Sequence, residues 1–547
     1  MSSSATATPA ATDGSRTPRN RRGSSVVGAS EPATRWNSTL IERLRSPIPG
    51  DEINSWLISI GVTLMAFLVR IVGLSRPTGL TFDETYYVKD AWSLWNLGYE
   101  AQWPDDIDAA FAAGDTQSFT TDPSFVVHPP LGKWLIGLGM AAFGPGDPTG
   151  WRIAVALAGV ATAVVLYAIG RRISGSVAVG AIAGGLLAVD GLGIAMSRVA
   201  MLDGLLALFI LLAVLFLVID HEGARRRLAS ARGTALGPVM WRRPWVLAAG
   251  IALGAATAVK WSGLYALAGL GLWLVARDAL DRRRARIEGW LPSAIVRQGP
   301  ASFLLLVPVA ALTYLASWTG WLVTAGGYDR QSDANPLVAL WNYHRAVYGF
   351  HVGLSAGHPY ASPGWEWPLL LRPTAMWTDR PDVGHASCLG SDDCLAVITS
   401  LPNPIAWYAG IAALVFLAVA LVRTRRIRFA VPLVGVAVTW LPWLLYPERT
   451  TFQFYSIAML PFVCLAVALA VQHLCRVREP VLLPDPTPDE RILASFDAAR
   501  RRRAWVVASV AFLVLAGLSA LWFLPLSTGI LEPYRLWYLH MWLPGWI

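Results

Sequence analysis

The sequence predicts an all-α polytopic membrane protein with about eleven transmembrane helices. Hydrophobic residues make up 54% of its 547 positions and charged residues only 15%, whereas soluble chains carry about 25% charged residues. Eleven apolar runs follow one another along the chain, and most can cross a hydrocarbon core of about 30 Å. This composition excludes soluble enzymes, secreted disulfide scaffolds and nucleic-acid-binding domains.

Polar segments divide the chain into two predicted regions. Residues 1–50 are rich in Ser, Thr, Ala, Pro and Arg and contain no apolar run, which predicts a disordered cytoplasmic tail. Residues 51–547 form the predicted transmembrane domain. Its helices are expected near residues 54–74, 150–170, 177–195, 204–219, 245–259, 261–276, 301–323, 404–422, 429–446, 453–472 and 504–524.

The distribution of arginine predicts the orientation of these helices. Of the 45 basic residues, 42 are arginine, and 32 of the 45 fall in the tail and in loops on the same side, including a basic loop at 473–503. Because cytoplasmic segments carry excess positive charge, the N-terminus is predicted inside and the C-terminus outside. The net charge of +9 is therefore mainly topological and does not indicate a nucleic-acid partner.

Two large loops on the predicted outer side, 75–149 and 324–403, indicate that the chemistry takes place there. The three lysines of the chain also fall at this face. The first loop contains a short apolar stretch at 131–143, which is predicted to lie in the membrane interface. Cys388 and Cys394 lie in the second loop, where an oxidising compartment would permit a disulfide between them, the alternative being two free thiols.

Ionisable residues gather at or beside this face, and charges near the membrane are costly and usually functional. They are Arg70, Asp83, Glu84, His128, Lys133, Arg152, Arg198, Asp203, Lys260, Glu448 and Arg449. An acidic pair surrounded by cations suits a transferase with a lipid-phosphate donor. A carboxylate takes a proton from the acceptor hydroxyl, and cations stabilise the departing phosphate.

The acidic pair Asp83–Glu84 has two interpretations. An acidic pair in a loop is usually solvated. Its apolar and aromatic neighbours in the segment 81–87 instead favour a position at the membrane surface. Low dielectric there raises the pKa of a carboxylate toward that of a useful base.

The basic residues leave alternatives open as well. His128 and Lys133 could both face a phosphate, or they could belong to a loop made rigid by two prolines. Arg198 could bind phosphate or pair with Asp203. Lys260 could extend to the interface, although a functional contact is favoured because membrane-embedded charges tend to be functional.

Histidines of the second outer loop raise a zinc site as an alternative. They are His344, His351, His358 and His385. Glycine and proline intervene between them, so they share no clean helical face, and no metal or other cofactor is predicted. The sequence contains no Gly-rich phosphate loop, Ser-His-Asp set or nucleotide fingerprint, so a nucleotide-sugar donor is unsupported.

Taken in order, these motifs resemble those of the protein O-mannosyltransferases, multi-spanning glycosyltransferases of the GT-C class. The resemblance rests on FDE at 82–84, HPPLGK at 128–133, SR at 197–198 with LD at 202–203, VKWSGL at 259–264, HPYAS at 358–362 and WEWP at 365–368. Arg70 and Arg152 also look like family positions. The match covers most of residues 54–524.

The resemblance implies a donor, an acceptor and roles for the site residues. The donor would be a polyprenyl-phosphate mannose, and the acceptor a Ser or Thr of a secreted or membrane protein, met during Sec-dependent translocation at the extracytoplasmic face of the cell membrane. Asp83 would be the general base of an inverting single displacement, and Glu84 would orient a substrate. Donor contacts would come from Arg70, Arg152, Arg198, Asp203, Lys260 and Arg449, and acceptor or loop positioning from His128, Lys133, His358 and Trp365.

The chain departs from the eukaryotic members of this family in one respect. Those members carry a β-trefoil domain, for which the segment 324–403 is too short, so the resemblance leaves that loop itself as the candidate for acceptor recognition. The departure and the Ala- and Arg-rich composition point to a bacterial, actinobacterial-type member. Two alternatives remain: a GT-C enzyme that moves aminoarabinose or arabinose to a lipid or glycan, and a lipid-linked sugar flippase, which the one-sided charges disfavour.

Overall fold

The computed structural model describes residues 52–231, 233–385, 387–476 and 487–547. The predicted tail 1–50 and residues 477–486 of the predicted basic loop lie outside the described residues. Within these ranges the regular secondary structure is helical, as expected, apart from one small sheet.

Eight helices in the described ranges are long and apolar enough to cross a membrane. They are Ile53–Ile71, Pro148–Ser174, Leu202–Ala229, Gly263–Arg284, Trp290–Ser317, Pro404–Thr424, Ile427–Leu445 and Asp489–Trp522. A ninth span is formed if the helices Val177–Ala188 and Gly191–Arg198, which are bent by 55° at their junction, are taken together. The chain is therefore a multi-pass membrane protein.

The eleven predicted runs all coincide with apolar helices, but not all of those helices are full spans. The run 177–195 corresponds to the bent pair. The runs 245–259 and 453–472 correspond to the shorter helices Pro244–Val259 and Leu460–Leu474. The number of crossings is thus eight or nine by helix length and composition, while the orientation stays a prediction.

The bend in the pair has a local cause at Asp190. Its side chain caps the second helix by accepting a hydrogen bond from the Gly193 amide at 3.1 Å, and it accepts another from the Asn403 amide at 2.9 Å. A Cβ atom on Gly191 would lie 2.5 Å from the Leu401 carbonyl oxygen. Capping starts a new helix here, and this helix ends at Ser197–Arg198.

The last long helix begins earlier than the sequence suggested. It runs from Pro488 to Trp522, so 488–503 is helix rather than loop. Thr487 and Glu490 form a capping box, in which each side chain bonds to the backbone amide of the other residue. This reciprocal cap satisfies amides at the helix start, which explains why the helix extends into the arginine-rich segment.

Shorter elements build the region between the spans. The remaining helices are Glu84–Leu97, Asp108–Ala112, Leu131–Phe143, Thr319–Val323, Pro336–Gly353, Leu524–Thr528 and Tyr534–Leu539, with short 3-10 helices at Gly364–Leu369, Gln453–Ala458 and Pro544–Trp546. Three antiparallel strands, β1 (Ala375–Asp379), β2 (Cys394–Thr399) and β3 (Glu532–Pro533), pair in the order β1-β2-β3. Cys388 and Cys394 form a disulfide, which closes the connection between β1 and β2.

Glycines bring the helix Leu131–Phe143 into close contact with its two neighbours. A Cβ atom on Gly137 would lie 3.0 Å from the Ala91 carbonyl oxygen of the helix Glu84–Leu97. A Cβ atom on Gly139 would lie 2.5 Å from the carbonyl oxygen of Gly150. A Cβ atom at Gly139 would force the backbone to shift, and one at Gly137 would make an unusually tight contact, so glycine favours both approaches. The helix that follows Asp83 is thereby packed, through Leu131–Phe143, onto the span Pro148–Ser174.

Candidate active site

Asp83 lies at the start of the helix Glu84–Leu97, directly after an unusual backbone position. Phe82 has a φ of +54°, a conformation that non-glycine residues rarely adopt and that is often found at functional sites. Its ring packs edge-on against Phe454 at 5.7 Å and Phe452 at 6.1 Å between centroids. These contacts hold the ring on one side of the turn and orient Asp83, the next residue.

The Asp83 carboxylate is half-buried and, among the residues that the structure describes, has one side-chain hydrogen bond. The Tyr87 hydroxyl, one helical turn later, donates to its Oδ2 at 3.2 Å. Burial raises the pKa of Asp83 above its ordinary value, while the nearby Lys260 ammonium and the Tyr87 hydrogen bond counteract that shift. A carboxylate with a raised pKa and little hydrogen bonding is suited to accept a proton.

Glu84 has entirely different surroundings from its neighbour. It is completely buried, and Arg152 donates to it twice, from Nε and from Nη2, each at 2.8 Å. The backbone amides of Ala200 and Thr81 donate at 2.7 and 2.9 Å. Arg152 also donates to the carbonyl oxygens of Pro77 and Gly79, at 2.6 and 3.0 Å. This pair joins the loop before Asp83 to the span Pro148–Ser174 and to the segment at Ala200.

Arg70 and Arg198 are likewise buried and bound to the protein itself. Arg70 donates to the Ala188 carbonyl at 2.8 Å and to Ser197 Oγ at 3.2 Å. Arg198 donates to the carbonyls of Val72 and Gly73, each at 2.7 Å. Both side chains therefore connect the end of the first span to the bent helix pair.

Lys260 forms a buried ion pair with Asp203. Its Nζ lies 2.7 Å from Asp203 Oδ2 and 4.9 Å from the centre of the Tyr455 ring. Burial by itself lowers the pKa of the Lys260 ammonium, but Asp203, Tyr455 and Asp83 together outweigh burial and raise it above its ordinary value. Asp203 occupies the first turn of the span Leu202–Ala229, where the helix dipole favours a negative charge. Lys260 is thus held as a cation.

Lys260 and Asp203 line a cavity of about 990 Å³, named here the Lys260 cavity. Its polar and aromatic wall includes His128, Trp261, His344, Arg345, His351, Arg449 and Tyr455, and its apolar wall includes Leu264, Leu267, Val307, Ala310, Ala311 and Leu315. A cavity with both kinds of wall suits an amphiphilic ligand with a polar head and a long apolar chain.

Stacked rings form the polar wall of the cavity. His128 and His351 are nearly parallel with centroids 5.6 Å apart, and Trp261 lies 5.8 Å from His351. Burial lowers the pKa of His128 well below its ordinary value, and burial also lowers that of His351. Both rings are therefore neutral near pH 7. Arg449 is fixed beside them, donating from Nη2 to His351 Nδ1 at 3.3 Å.

Three other predicted residues lie outside the wall of this cavity. Lys133 is buried in ion pairs with Glu100 and with Asp90, the latter at 3.8 Å. Burial raises the pKa of Asp90 to about 7. His358 contacts the Asp83 turn through the Phe82 ring, with centroids 6.4 Å apart. Trp365 is exposed.

Sequence reasoning did not identify Tyr87 and Tyr455 as site residues. Tyr87 was visible in principle, because it stands four residues after Asp83 and residues at that spacing are neighbours on a helix. Tyr455 lies in the short 3-10 helix Gln453–Ala458. It is far from Lys260 in the sequence, so no sequence spacing predicts their contact. In the described part of the chain, no group of three or more His, Cys, Asp or Glu could hold a metal ion.

Comparisons with known proteins identify the family. Residues 60–316 match the family model "Dolichyl-phosphate-mannose-protein mannosyltransferase", and residues 336–546 match the C-terminal four-helix region of protein-O-mannosyltransferase. The polyprenol-phosphate-mannose–protein mannosyltransferase of Mycobacterium tuberculosis is 31% identical over 527 residues, which cover 91% of this chain and 93% of that protein. The chain belongs to the protein mannosyltransferase family.

Further matches agree with this membership. The Mycolicibacterium smegmatis protein of the same description is 32% identical over 530 residues, covering 91% of this chain and 94% of the relative. The solved S. cerevisiae protein O-mannosyltransferase Pmt1–Pmt2 complex, bound to the sugar donor, aligns with a TM-score of 0.68 at 14% identity, over 92% of this chain and 94% of that one. The yeast likeness shows the fold. The predicted family and the predicted mannosyltransferase activity in protein O-mannosylation are confirmed.

The buried pair of Glu84 and Arg152 generates a prediction about stability. Glu84→Ala leaves Arg152 uncompensated, and breaking a buried pair in this way costs about 3–5 kcal/mol. We therefore expect the melting temperature of the purified protein to fall clearly, whereas the exposed Glu288→Ala leaves it unchanged. Thermal unfolding in detergent measures both. An unchanged melting temperature together with lost donor binding would instead assign Glu84 to substrate orientation.

Proposed function

We propose that this chain transfers mannose from a polyprenol-phosphate mannose to Ser or Thr hydroxyls of secreted or membrane proteins. The names of its relatives supply the donor and the protein acceptor. The observation that carries the proposal is the placement of a cation, Lys260, on the wall of a large amphiphilic cavity, within electrostatic reach of the carboxylate of Asp83.

The donor is proposed to occupy the Lys260 cavity. The lysine ammonium has three donors, and among the described residues only Asp203 accepts a hydrogen bond from it, so two donors can meet a phosphate. Arg449 adds a second cation on the same wall, and the apolar wall accommodates the start of the prenyl chain. The neutral rings of His128 and Trp261 offer polar edges and flat faces to the sugar.

Asp83 is proposed as the general base. It removes the proton of the acceptor hydroxyl as that oxygen attacks the anomeric carbon of mannose. The bond between this carbon and the phosphate oxygen breaks, and the lipid phosphate leaves with the bonding electrons, its charge balanced by Lys260. One bond forms and one breaks in a single displacement, which inverts the configuration at the sugar.

The arginines are proposed to support the site without touching the donor. Arg70, Arg152 and Arg198 were expected to contact the donor, but they donate to carbonyl oxygens or to Glu84 and lie outside the cavity wall. In the proposed scheme they hold the turn at Phe82–Asp83 against the bent helix pair. Their removal then affects folding before it affects donor binding.

The setting in the membrane also belongs to this proposal. The helix Pro336–Gly353 brings His344, Arg345 and His351 to the cavity wall, so the loop 324–403 is a candidate for acceptor contact. His358 extends the same region to the Asp83 turn through its contact with the Phe82 ring. We propose a GT-C arrangement in the cell membrane, with this site on the extracytoplasmic side and the arginine-rich ends inside.

The base assignment is tested by Asp83→Asn. Because general bases contribute about 10²–10⁴-fold to rate, we expect transfer to a Ser/Thr-rich peptide to fall by at least 10²-fold, while binding of polyprenyl-phosphate mannose is retained. The matched variant is Asp105→Asn, which changes an exposed aspartate of the same loop and should transfer normally. Transfer at a near wild-type rate by the Asp83 variant would remove this residue as the base.

The same assay separates the two kinds of donor. Wild-type protein is expected to use polyprenyl-phosphate mannose and not GDP-mannose. Activity with the nucleotide sugar alone would refute the lipid-donor part of the proposal.

Lys260→Gln tests the phosphate contact. A hydrogen bond to a charged group contributes about 1.5–3 kcal/mol, so the KM for the lipid donor should rise about tenfold or more, with little change in the peptide KM. Lys89→Gln is the control. The Lys89 ammonium lies 2.7 Å from the Asp108 carboxylate, and Lys89 does not line the Lys260 cavity. An unchanged donor KM in a variant of normal thermal stability would count against the phosphate role.

Tyr87→Phe tests the coupling between Tyr87 and Asp83 through the pH profile. The tyrosine hydroxyl donates to the carboxylate and so favours its charged form; its loss raises the pKa of Asp83 further. The acid limb of kcat/KM, where activity falls as Asp83 is protonated, should move to higher pH by about one unit. Tyr86→Phe, at an exposed neighbouring tyrosine, should leave the limb in place. Coincident limbs for both variants would show that Tyr87 does not tune the base.

A further inference from the structure

A second cavity lies at the opposite end of two of the helices that line the first. The span Leu202–Ala229 places Asp203 in the Lys260 cavity and Arg225 in the second one. At 1.5 Å per residue these two positions are roughly 33 Å apart, which is about the thickness of a hydrocarbon core. The second cavity, of about 520 Å³, therefore opens toward the other side of the membrane.

The wall of the second cavity is strongly basic, and we name it the basic cavity. Its basic side chains are Arg172, Arg225, Arg277, Arg284, Arg425, Arg426, Arg428 and Arg476, together with His221, and Glu222 is its carboxylate. Apolar side chains of Leu217, Val218, Leu270, Trp273, Val431 and Val434 complete it. A concentration of guanidinium groups above an apolar wall matches a charged head joined to a hydrocarbon chain.

Internal carboxylates balance only part of this charge. Arg277 pairs with Asp220 at 2.9 Å and Arg284 with Asp281 at 3.4 Å, and Glu222 pairs with Arg172 at 3.5 Å. Among the described residues, the other five arginines of the wall form no ion pair. The positive-inside bias explains why arginines lie at this end, but it does not require them to surround a cavity.

Arg428 gives the most specific indication of a ligand. Its Nε and Nη2 atoms are buried and have no hydrogen-bond partner in the described part of the chain, while its Cζ lies 5.1 Å from the ring of Phe429. Leaving donors of a charged group buried and unpaired is costly. The planar fork of arginine matches the oxygens of a phosphate, so an anion supplied from outside the chain would satisfy these donors.

We propose that the basic cavity binds the phosphate-bearing head group of an anionic membrane lipid, from the leaflet opposite to the Lys260 cavity. Basic pockets between transmembrane helices are suited to such head groups. Arg426 and Arg428 contact the phosphate, and the apolar wall near Val431 and Val434 receives the first part of an acyl chain. The bound lipid links the ends of the spans Leu202–Ala229, Gly263–Arg284 and Ile427–Leu445.

Native mass spectrometry of the full-length protein in detergent tests this proposal. Dioleoyl-phosphatidic acid, added as the probe, should remain bound to the wild-type protein, and dioleoyl-phosphatidylcholine should not. The double variant R426Q/R428Q should bind phosphatidic acid at least about tenfold more weakly than the wild type, because each arginine near a lipid phosphate contributes appreciably to binding. The matched control R423Q/R501Q removes two exposed arginines that lie outside the cavity wall and should bind like the wild type.

Further arms distinguish the source of the phosphate and guard against misfolding. Inorganic phosphate should not displace the lipid; displacement would indicate a site for a soluble phosphate and overturn the proposal. Equal loss of lipid binding in both double variants would show that the overall positive charge, and not this cavity, attracts the lipid. That result would also overturn the proposal. R426K/R428K keeps the charge and should recover part of the binding. Phosphatidic acid should also raise the melting temperature of the wild type, but not of R426Q/R428Q.

Discussion

The candidate site depends on one buried ion pair, between Glu84 and Arg152. Both side chains are completely buried, and every acceptor position that Glu84 offers in its plane is taken by Arg152 or by a backbone amide. Through Arg152 the pair also fixes the carbonyl groups of the loop before Asp83. Because a carboxylate without its partner is very costly in such a place, the loop has one stable position, and Asp83 projects from it.

The two adjacent acidic residues, Asp83 and Glu84, thus have different roles. Glu84 points into the protein and is saturated, whereas Asp83 keeps a raised pKa and one hydrogen bond. The cations divide in the same way. Arg70, Arg152 and Arg198 bind groups of the protein, while Lys260 is placed on the wall of a cavity. Arginine suits the first task because its fork satisfies several carbonyls at once, and lysine the second because its compact ammonium keeps donors free.

The sequence could predict which residue types belong to the site and their order along the chain, but not which groups their side chains contact. The motifs around 82–84 and 259–264 located Asp83 and Lys260, and both take part in one charged group with Asp203. The same reasoning assigned Arg198 to the donor, like Lys260, and Lys133 to acceptor or loop positioning. It could not show that Arg198 binds the carbonyls of Val72 and Gly73, or that Lys133 pairs with Asp90 and Glu100, far from it in the sequence. Such long-range partners leave no local signal.

The sequence by itself determined that the chain is a multi-pass helical membrane protein of the mannosyltransferase family, because hydropathy and ordered motifs are local properties. It also predicted that most arginines lie on one side of the membrane. Only the tertiary structure decided which charged side chains line a cavity and which are paired with other groups of the protein. It also revealed that arginines near 425–428 line a second cavity. The reason is physical: burial and pairing set the role of a charge, and both arise from contacts between segments far apart in the chain.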